Sequence, residues 1–170
     1  DIAQALIKQG IEVWISNHRT VAGIGSYIRR LGALVGAHDQ AERYARALEA
    51  GIETVRARSA QLPRRPRVYF EEWDEPMISG IAWVSELIGI AGGDDIFPER
   101  AASSLARGRI IADGAEVIAQ APDIIFGSWC GKRFRPETVA ARPGWQRVPA
   151  IRDGECHEIK SPLILQPGPA

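Results

Sequence analysis

Cysteine is scarce in this sequence of 170 residues, which contains only Cys130 and Cys156. Two cysteines are too few for a disulfide scaffold, and no CxxC pair predicts a zinc site. Their spacing leaves two states open, one disulfide bond or two free thiols. The simplest interpretation of either residue is a half-buried thiol that binds nothing.

Excess charge, long apolar runs and familiar catalytic motifs are also missing. The 21 basic residues balance the 21 acidic ones, so net charge gives no indication of a nucleic-acid partner. No apolar run approaches the roughly 20 residues of a transmembrane helix. The sequence has no nucleophile elbow, HExxH pattern or phosphate loop. Gly23 and Gly25 lie inside a helical pattern and not directly after a strand, so they form no dinucleotide fingerprint.

The first 61 residues predict two helices and a strand before one long helix. Residues 2–8 have a helical pattern, residues 11–15 read as a strand, and a second helix begins at Thr20. A lone strand lacks backbone partners, so we expect earlier strands of its domain to precede it. Asp39, an expected N-cap, opens a helix that runs to about residue 61. At 1.5 Å per residue it would span roughly 30–35 Å and suit a rigid spacer.

The rest of the chain alternates strands and helices, which predicts an α/β fold. Asp153 and Gly154 predict a hairpin turn. Residues 99–112 are expected to be loop. The predicted strands are 67–71, 96–97, 124–127, 148–151 and 156–159, and the predicted helices are 78–91, 113–120 and 136–141. Together they form a three-layer lobe with a mostly parallel sheet and a C-terminal hairpin, preceded by the long linker helix.

Residues 126–134 combine an aromatic ring, a thiol and a cation in one loop. Trp129, Cys130 and Lys132 follow the apolar run at residues 122–125, which reads as a buried strand. Ligands of open α/β sheets bind beyond the carboxyl ends of the strands. The sequence therefore predicts a ligand site at this loop.

Several motifs occur in an order and spacing typical of one family. They are LGALVG at 31–36, SG at 79–80, LI at 87–88, AGG at 91–93, IA at 118–119, APDII at 121–125 and HEIKSP at 157–162. Through them nearly the whole chain resembles the solute-binding proteins of ABC importers for vitamin B12 and ferric siderophores, especially the cobalamin-binding branch. The resemblance implies the class III periplasmic-binding-protein fold, with two α/β lobes joined by one long helix.

The resemblance divides the chain into three parts. Residues 1–36 match the end of an N-terminal lobe, residues 37–62 the linker helix, and residues 66–170 a C-terminal lobe without its final helix. It implies a binding protein and not an enzyme, located in the periplasm or elsewhere outside the cytoplasm. Such a protein needs no cofactor or metal site, captures cobalamin or a related metal chelate, and delivers it to a membrane permease.

The resemblance also implies which residues face the ligand. They are Glu72, Trp73, Arg109, Trp129, Cys130, Lys132 and Glu158. Trp73 would stack on a corrin or chelate face, or alternatively pack over the following helix. Lys132 would meet a phosphate, amide or carboxylate, and Cys130 would be a soft ligand for cobalt. Arg109 stands where the family often has an aromatic residue, and the alternative is a solvated arginine.

Permease docking in this family uses one acidic residue on each lobe. The matching region of this chain contains Asp113 and Glu116, although the aligned position itself is Ala115. Asp113 and Glu116 also form a capping-box pattern, which gives Glu116 a structural role.

Two further hypotheses stay open. In the first, the fold is that of a thiol enzyme, with Cys130 as nucleophile, His157 as base and Lys132 lowering the pKa of the thiol; the simpler interpretation of His157 is a surface strand residue. In the second, the strand at residues 11–15 has an unpaired edge through which the chain self-associates.

Overall fold

The computed structural model describes residues 2–166; residue 1 and residues 167–170, which the predicted lobe boundaries include, lie outside this range. The helices are α1 (Ile2–Lys8), α2 (Val21–Leu34), α3 (His38–Ser59), α4 (Ala82–Ile90), α5 (Pro98–Ala101), α6 (Gly114–Gln120), α7 (Pro136–Ala140), α8 (Pro149–Arg152) and α9 (Ser161–Ile164). The strands are β1 (Arg67–Asp74), β2 (Met77–Ser79), β3 (Asp94–Asp95), β4 (Ile124–Gly127) and β5 (Cys156–Glu158). Short 3-10 turns occupy Ala106–Arg109 and Trp145–Arg147.

The five strands form one mixed sheet that is mostly parallel. Its order is β2-β1-β4-β5, and β3 pairs with the first residues of β1. The β1–β3, β1–β4 and β4–β5 pairs are parallel, whereas β2 returns antiparallel beside the end of β1. The carboxyl ends of β1, β4 and β5 therefore share one edge of the sheet.

Apolar side chains cover both faces of this sheet, because alternate residues of a strand point to opposite faces. Val68 and Phe70 of β1 pack with residues of α4 in one core cluster. Tyr69 of β1 and Ile125 of β4 belong to a second cluster, which includes residues of α6 and α7. The predicted α/β class and its three layers are confirmed.

Helices α2 and α3 pack closely and are joined by charged side chains. Arg29 donates to Glu42 at 2.7 Å and to both carboxylate oxygens of Glu49 at 2.7 and 3.0 Å. Arg29 and Arg46 lower the pKa of Glu42 to about 2. A Cβ at Gly32 would lie 2.2 Å from that of Ala41, so the absence of a side chain permits this contact.

The long predicted helix exists, with a different start. Helix α3 has 22 residues, which corresponds to about 33 Å. Asp39 lies in its first turn and not at the N-cap, which is Ala37. At its other end, Ser59 Oγ donates to Ile90 O at 2.7 Å and joins α3 to the end of α4. The division into lobes and linker stays a prediction.

The prediction of a strand at residues 11–15 is wrong. These residues lie outside every helix and strand, and the Trp14 ring stacks on Tyr27 of α2 with centroids 5.6 Å apart. A strand needs a neighbour for its backbone groups, and within residues 2–166 the segment has none. The strand edge proposed for self-association is therefore not formed, and self-association itself stays a prediction.

The predicted C-terminal hairpin is also wrong. Residues 149–152 form α8, with Pro149 in the first turn, where a missing N–H is tolerated. Strand β5 pairs parallel with β4, with Gly127 opposite Glu158. Gly154 does adopt the left-handed conformation expected of the turn, with φ 73°, but this turn joins a helix to a strand.

Further boundaries differ from the predictions. Strand β1 runs three residues past its predicted end at residue 71, to Asp74. The predicted helix at 78–91 begins only at Ala82, because the preceding residues form β2. The predicted strand at 96–97 lies two residues earlier, as β3. The predicted loop at 99–112 contains most of α5 and a 3-10 turn.

None of the helices within residues 2–166 combines the length and hydropathy that a bilayer-spanning helix requires.

Candidate functional site

The candidate site lies at the edge of the sheet where three parallel strands end. Glu71, Gly127 and Glu158 stand opposite one another in the register of β1, β4 and β5. Five of the predicted ligand residues lie at or just beyond this row. Glu72 and Trp73 continue β1 beside β2, Glu158 ends β5, and Trp129 and Lys132 lie in the loop after β4.

A fully buried carboxylate, Glu71, anchors this edge. Arg142 donates to its two oxygens at 2.6 and 2.9 Å, and Tyr69 Oη donates at 3.0 Å. The Trp129 indole Nε1 donates to Glu71 Oε1, also at 3.0 Å. One carboxylate thus ties β1 to the loop after β4 and to the segment after α7.

Burial and charge in this network alter the pKa values of Tyr69 and Arg142. Burial raises the pKa of Tyr69 well above its usual value, and the adjacent Glu71 raises it further. Burial lowers the pKa of Arg142, but its hydrogen bonds and charge pairing with Glu71 outweigh that effect and raise it overall. Arg142 therefore remains charged, as the pair requires.

Sequence reasoning missed Glu71 and Arg142 as parts of the site. The available signal was the alternation in β1: Tyr69 and Glu71 share the face that points to the core. An acid on an apolar face needs a buried partner. Its partner lies 71 positions further along the chain, a separation that the sequence pattern does not predict.

Trp129 forms part of the wall of the site and is only 5% exposed. Its ring meets Phe134 edge-on, with centroids 5.0 Å apart. The hydrogen bond to Glu71 fixes the other end of the indole. Trp129 therefore offers little surface to a large ligand.

Lys132 lies in front of Trp129. Its ammonium nitrogen is 4.4 Å from the centroid of the Trp73 ring and 5.0 Å from that of Trp129, and 2.5 Å from Asp74 Oδ1. Trp73 is partly buried against the core, and its indole Nε1 donates to Glu75 O at 2.9 Å. The rings and the cation, predicted for separate roles, are thus in contact with one another.

Arg109 and Glu72 pair with each other beside this cluster. Arg109 Nη1 and Nη2 lie 2.5 and 3.1 Å from the Glu72 carboxylate oxygens. Nη1 also donates to the carbonyl of Ser79. Because Arg109 is only 3% exposed, the alternative of a solvated arginine is wrong.

Glu158 is exposed at the end of β5, and its Oε1 accepts from the backbone N–H of Phe134 at 3.0 Å. This bond holds the loop after β4 against the end of β5. Between them lies a depression of about 580 Å³, lined by Trp129, Lys132, Glu158, Lys160 and their neighbours.

Both cysteines are free thiols, which settles the alternative left open by the sequence. Cys130 is exposed in the loop after β4. Cys156 is half-buried in β5, 3.7 Å from Ala150 O, and burial raises its pKa to about 11. His157 Nε2 lies 2.9 Å from Glu155 Oε2. Among residues 2–166 no hydrogen bond joins Cys130 to His157, so no observation favours the thiol-enzyme hypothesis.

We expect the two thiols to differ sharply in alkylation by iodoacetamide. With a pKa of about 11, roughly one Cys156 thiol in a thousand is ionised at pH 8. Cys130 should therefore be labelled first, and the rate at Cys156 should rise about tenfold per pH unit up to that pKa. Peptide mass spectrometry measures both rates. In urea the two rates should converge; equal rates in the native protein at pH 8 would contradict the prediction.

The two predicted docking residues lie at the start of α6. Asp113 is its N-cap and accepts from Ala115 N at 2.8 Å, as the capping pattern predicts. The Glu116 carboxylate does not complete the capping box among the described residues. It pairs instead with Arg100 at 2.5 Å and remains partly exposed.

Comparison with known proteins identifies the family of this fold. The family model for periplasmic binding proteins matches residues 1–163. No curated protein sequence matches the chain.

Three solved structures illustrate the similarity. An ABC transporter substrate-binding protein from Listeria monocytogenes has 16% identity and a TM-score of 0.77, with 96% of this chain and 64% of that one covered. The periplasmic vitamin B12 binding protein BtuF of Vibrio cholerae has 18% identity and a TM-score of 0.72, with coverages of 98% and 62%. The periplasmic heme-binding protein RhuT from Roseiflexus has 20% identity and a TM-score of 0.79, with coverages of 98% and 64%.

This chain spans less than two thirds of the length of each of these proteins. At such low identities the structural likeness shows a shared fold. The match to the family model covers nearly all of the sequence. The chain belongs to the periplasmic binding protein family.

Proposed function

We propose that this chain is part of the solute-binding component of an ABC importer, which captures cobalamin or a related metal chelate outside the cytoplasm and delivers it to a membrane permease. The observation that carries the proposal is the grouping of Trp73, Lys132 and the Arg109–Glu72 pair at the carboxyl edge of the sheet. This edge is where ligands of open α/β sheets bind. Family membership and the fold shared with vitamin B12 and heme binders support it.

In this proposal residues 1–36 end one lobe, residues 37–62 form the linker and residues 66–170 form the second lobe. The ligand binds between the lobes, and binding shifts a population from open to closed forms. Trp73 would offer a ring face for stacking on a flat chelate once Lys132, which lies over the ring, moves aside. The buried Arg109 holds Glu72 in a fixed position, so that little ordering of this part of the site is needed on binding.

Permease docking would use the acidic start of α6. Glu116 is partly exposed, but its carboxylate is paired with Arg100. A permease arginine would have to share or replace that partner. Asp113 is committed to capping α6 through Ala115 N, so Glu116 is the better candidate of the two.

Ligand binding by the full-length protein tests the proposal. We expect cyanocobalamin, heme or a ferric siderophore to bind and change the absorbance of the complex. Trp73→Ala should weaken that binding by about tenfold or more, since a hot-spot aromatic residue contributes about 2 kcal/mol or more and about 1.4 kcal/mol is tenfold in affinity. Isothermal titration calorimetry measures both affinities.

Tyr44→Ala is the matched control, because it removes an exposed aromatic ring from α3. Its affinity should equal that of the wild type. Failure of all three chelates to bind would overturn the proposal, and equal losses in the two variants would remove Trp73 from the site.

A further inference from the structure

Trp73, Trp129 and Asp74 surround one ammonium group, and we define these three residues as the cation cage. The Lys132 nitrogen lies 4.4 and 5.0 Å from the two indole centroids. It lies 2.5 Å from Asp74 Oδ1. The faces of indole rings carry partial negative charge, so each ring attracts a cation within about 6 Å.

Two of the three cage residues, Trp129 and Asp74, are largely shielded from water, and Trp73 is partly buried. Trp129 is 5% exposed, and the side chain of Asp74 is 15% exposed. Asp74 Oδ1 is itself buried, and among the described residues the Lys132 ammonium is the cation within ion-pairing distance. Electrostatic attraction is stronger in such surroundings than in bulk water. Without Lys132, the largely buried Asp74 carboxylate would lose its ion-pair partner.

The walls of the cage are fixed independently of Lys132. The Trp129 indole is hydrogen-bonded to the buried Glu71 carboxylate. The Trp73 indole is hydrogen-bonded to Glu75 O. Withdrawal of Lys132 would therefore leave two oriented rings beside the Asp74 carboxylate, so the aromatic walls of the cage are preorganised.

The occupant, in contrast, reaches the cage from an exposed loop. The Lys132 side chain is 41% exposed. The preceding Gly131 has φ 78° and no heavy atom within 4 Å of where its Cβ would be. Rotation of the lysine side chain into solvent displaces no core residue.

We propose that the cation cage is a binding site for an organic cation, either a quaternary ammonium group or a protonated amine, and that Lys132 occupies it in the free protein. Ring faces provide no lone pairs for a hard metal ion, which takes oxygen ligands, whereas they suit a large, weakly hydrated ammonium group. The proposal rests on the proposed function only in placing ligands at this edge. It is tested without any chelate, so its failure and that of chelate capture are distinguishable.

The test compares two probes of the same shape, choline and its neutral carbon isostere 3,3-dimethyl-1-butanol, in the full-length protein. Lys132→Ala should bind choline at least about tenfold more tightly than the wild type, where the tethered ammonium competes at a high effective concentration. The same variant should prefer choline over the neutral probe by at least about tenfold, because the carboxylate and ring faces attract charge. Tryptophan fluorescence and calorimetry measure the affinities.

Lys160→Ala is the charge-matched control, because it removes a cation from the neighbouring depression without emptying the cage. It should bind choline as weakly as the wild type. The double variant Lys132→Ala, Trp73→Leu should lose the increase in choline affinity that Lys132→Ala shows over the wild type. Circular dichroism checks that the double variant is folded.

Three results would overturn the proposal. One is the absence of choline binding to a folded Lys132→Ala protein. Another is equal binding of choline and its neutral isostere, which would indicate a merely apolar hollow. The third is equal choline affinity in the wild type and Lys132→Ala, which would place the probe outside the cage.

Discussion

Arg142→Met should lower the free energy of unfolding by about 3–5 kcal/mol, since removal of one partner leaves an uncompensated buried charge. Glu71 is fully buried, and Arg142 supplies two of its four side-chain hydrogen bonds. Methionine retains much of the apolar volume of the arginine stem, so the loss reports the charge rather than a cavity. Urea denaturation followed by circular dichroism measures the change.

The double variant Glu71→Gln, Arg142→Met separates the buried charge from the lost contacts. The glutamine oxygen can still accept from the Trp129 indole at the Oε1 position, and its NH2 group can donate to Tyr69 Oη at the Oε2 position. The side chain then carries no charge to be neutralised. We therefore expect the double variant to be more stable than Arg142→Met alone. A double variant as unstable as the sum of the two single variants would show that the ion pair is not the source of the loss.

The long amphipathic helices were predicted well because their apolar residues recur with the helical period. Helix α2 begins one residue after its predicted start at Thr20, and α3 ends two residues before its predicted end at residue 61. This repetition over several turns outweighs the local ambiguity of single residues. The class of the fold followed from the alternation of such elements with apolar runs.

The short elements were predicted poorly because their structure depends on distant partners. Residues 148–151 are a short apolar run that suits either a strand or a helix turn. The structure selects the helix, in which Ala150 N donates to Pro122 O at 3.0 Å. Likewise, β5 follows a turn as predicted, but it pairs with β4 and not with the residues before the turn. Its partner is therefore determined by the sheet, which the turn residues alone do not predict.

The position of the candidate site was predictable, and its internal contacts were not. Trp73 lies at the end of β1 and Lys132 in the loop after β4, so their common edge follows from parallel topology. The contact between Trp73 and Lys132 depends on the conformation of the loop after β4, which contains Gly131 and Phe134. The spacing of residues in the sequence does not show that conformation. The sequence therefore predicted which residues gather at this edge, but not that the Lys132 ammonium group lies against the Trp73 and Trp129 rings.

Gly127→Ala should lower the free energy of unfolding by about 2–3 kcal/mol, because overpacking a filled core forces its neighbours to move. Gly127 ends β4, and a Cβ there would lie 1.8 Å from Cδ2 of the buried Phe134. Displacing Phe134 would disturb its edge contact with Trp129 and the bond from its N–H to Glu158. The variant should therefore also weaken ligand binding. Thermal and urea denaturation measure the first effect, and calorimetry the second.

Gly51→Ala is the matched substitution, since Gly51 lies within α3 and an added Cβ would meet no atom within 4 Å. There the same change should raise the free energy of unfolding by about 0.5–1 kcal/mol through higher helix propensity and lower unfolded-state entropy. Phe134→Leu should partly rescue Gly127→Ala by giving room to the new methyl group. If Gly127→Ala is as stable as the wild type, the close contact between β4 and Phe134 does not determine the position of the loop.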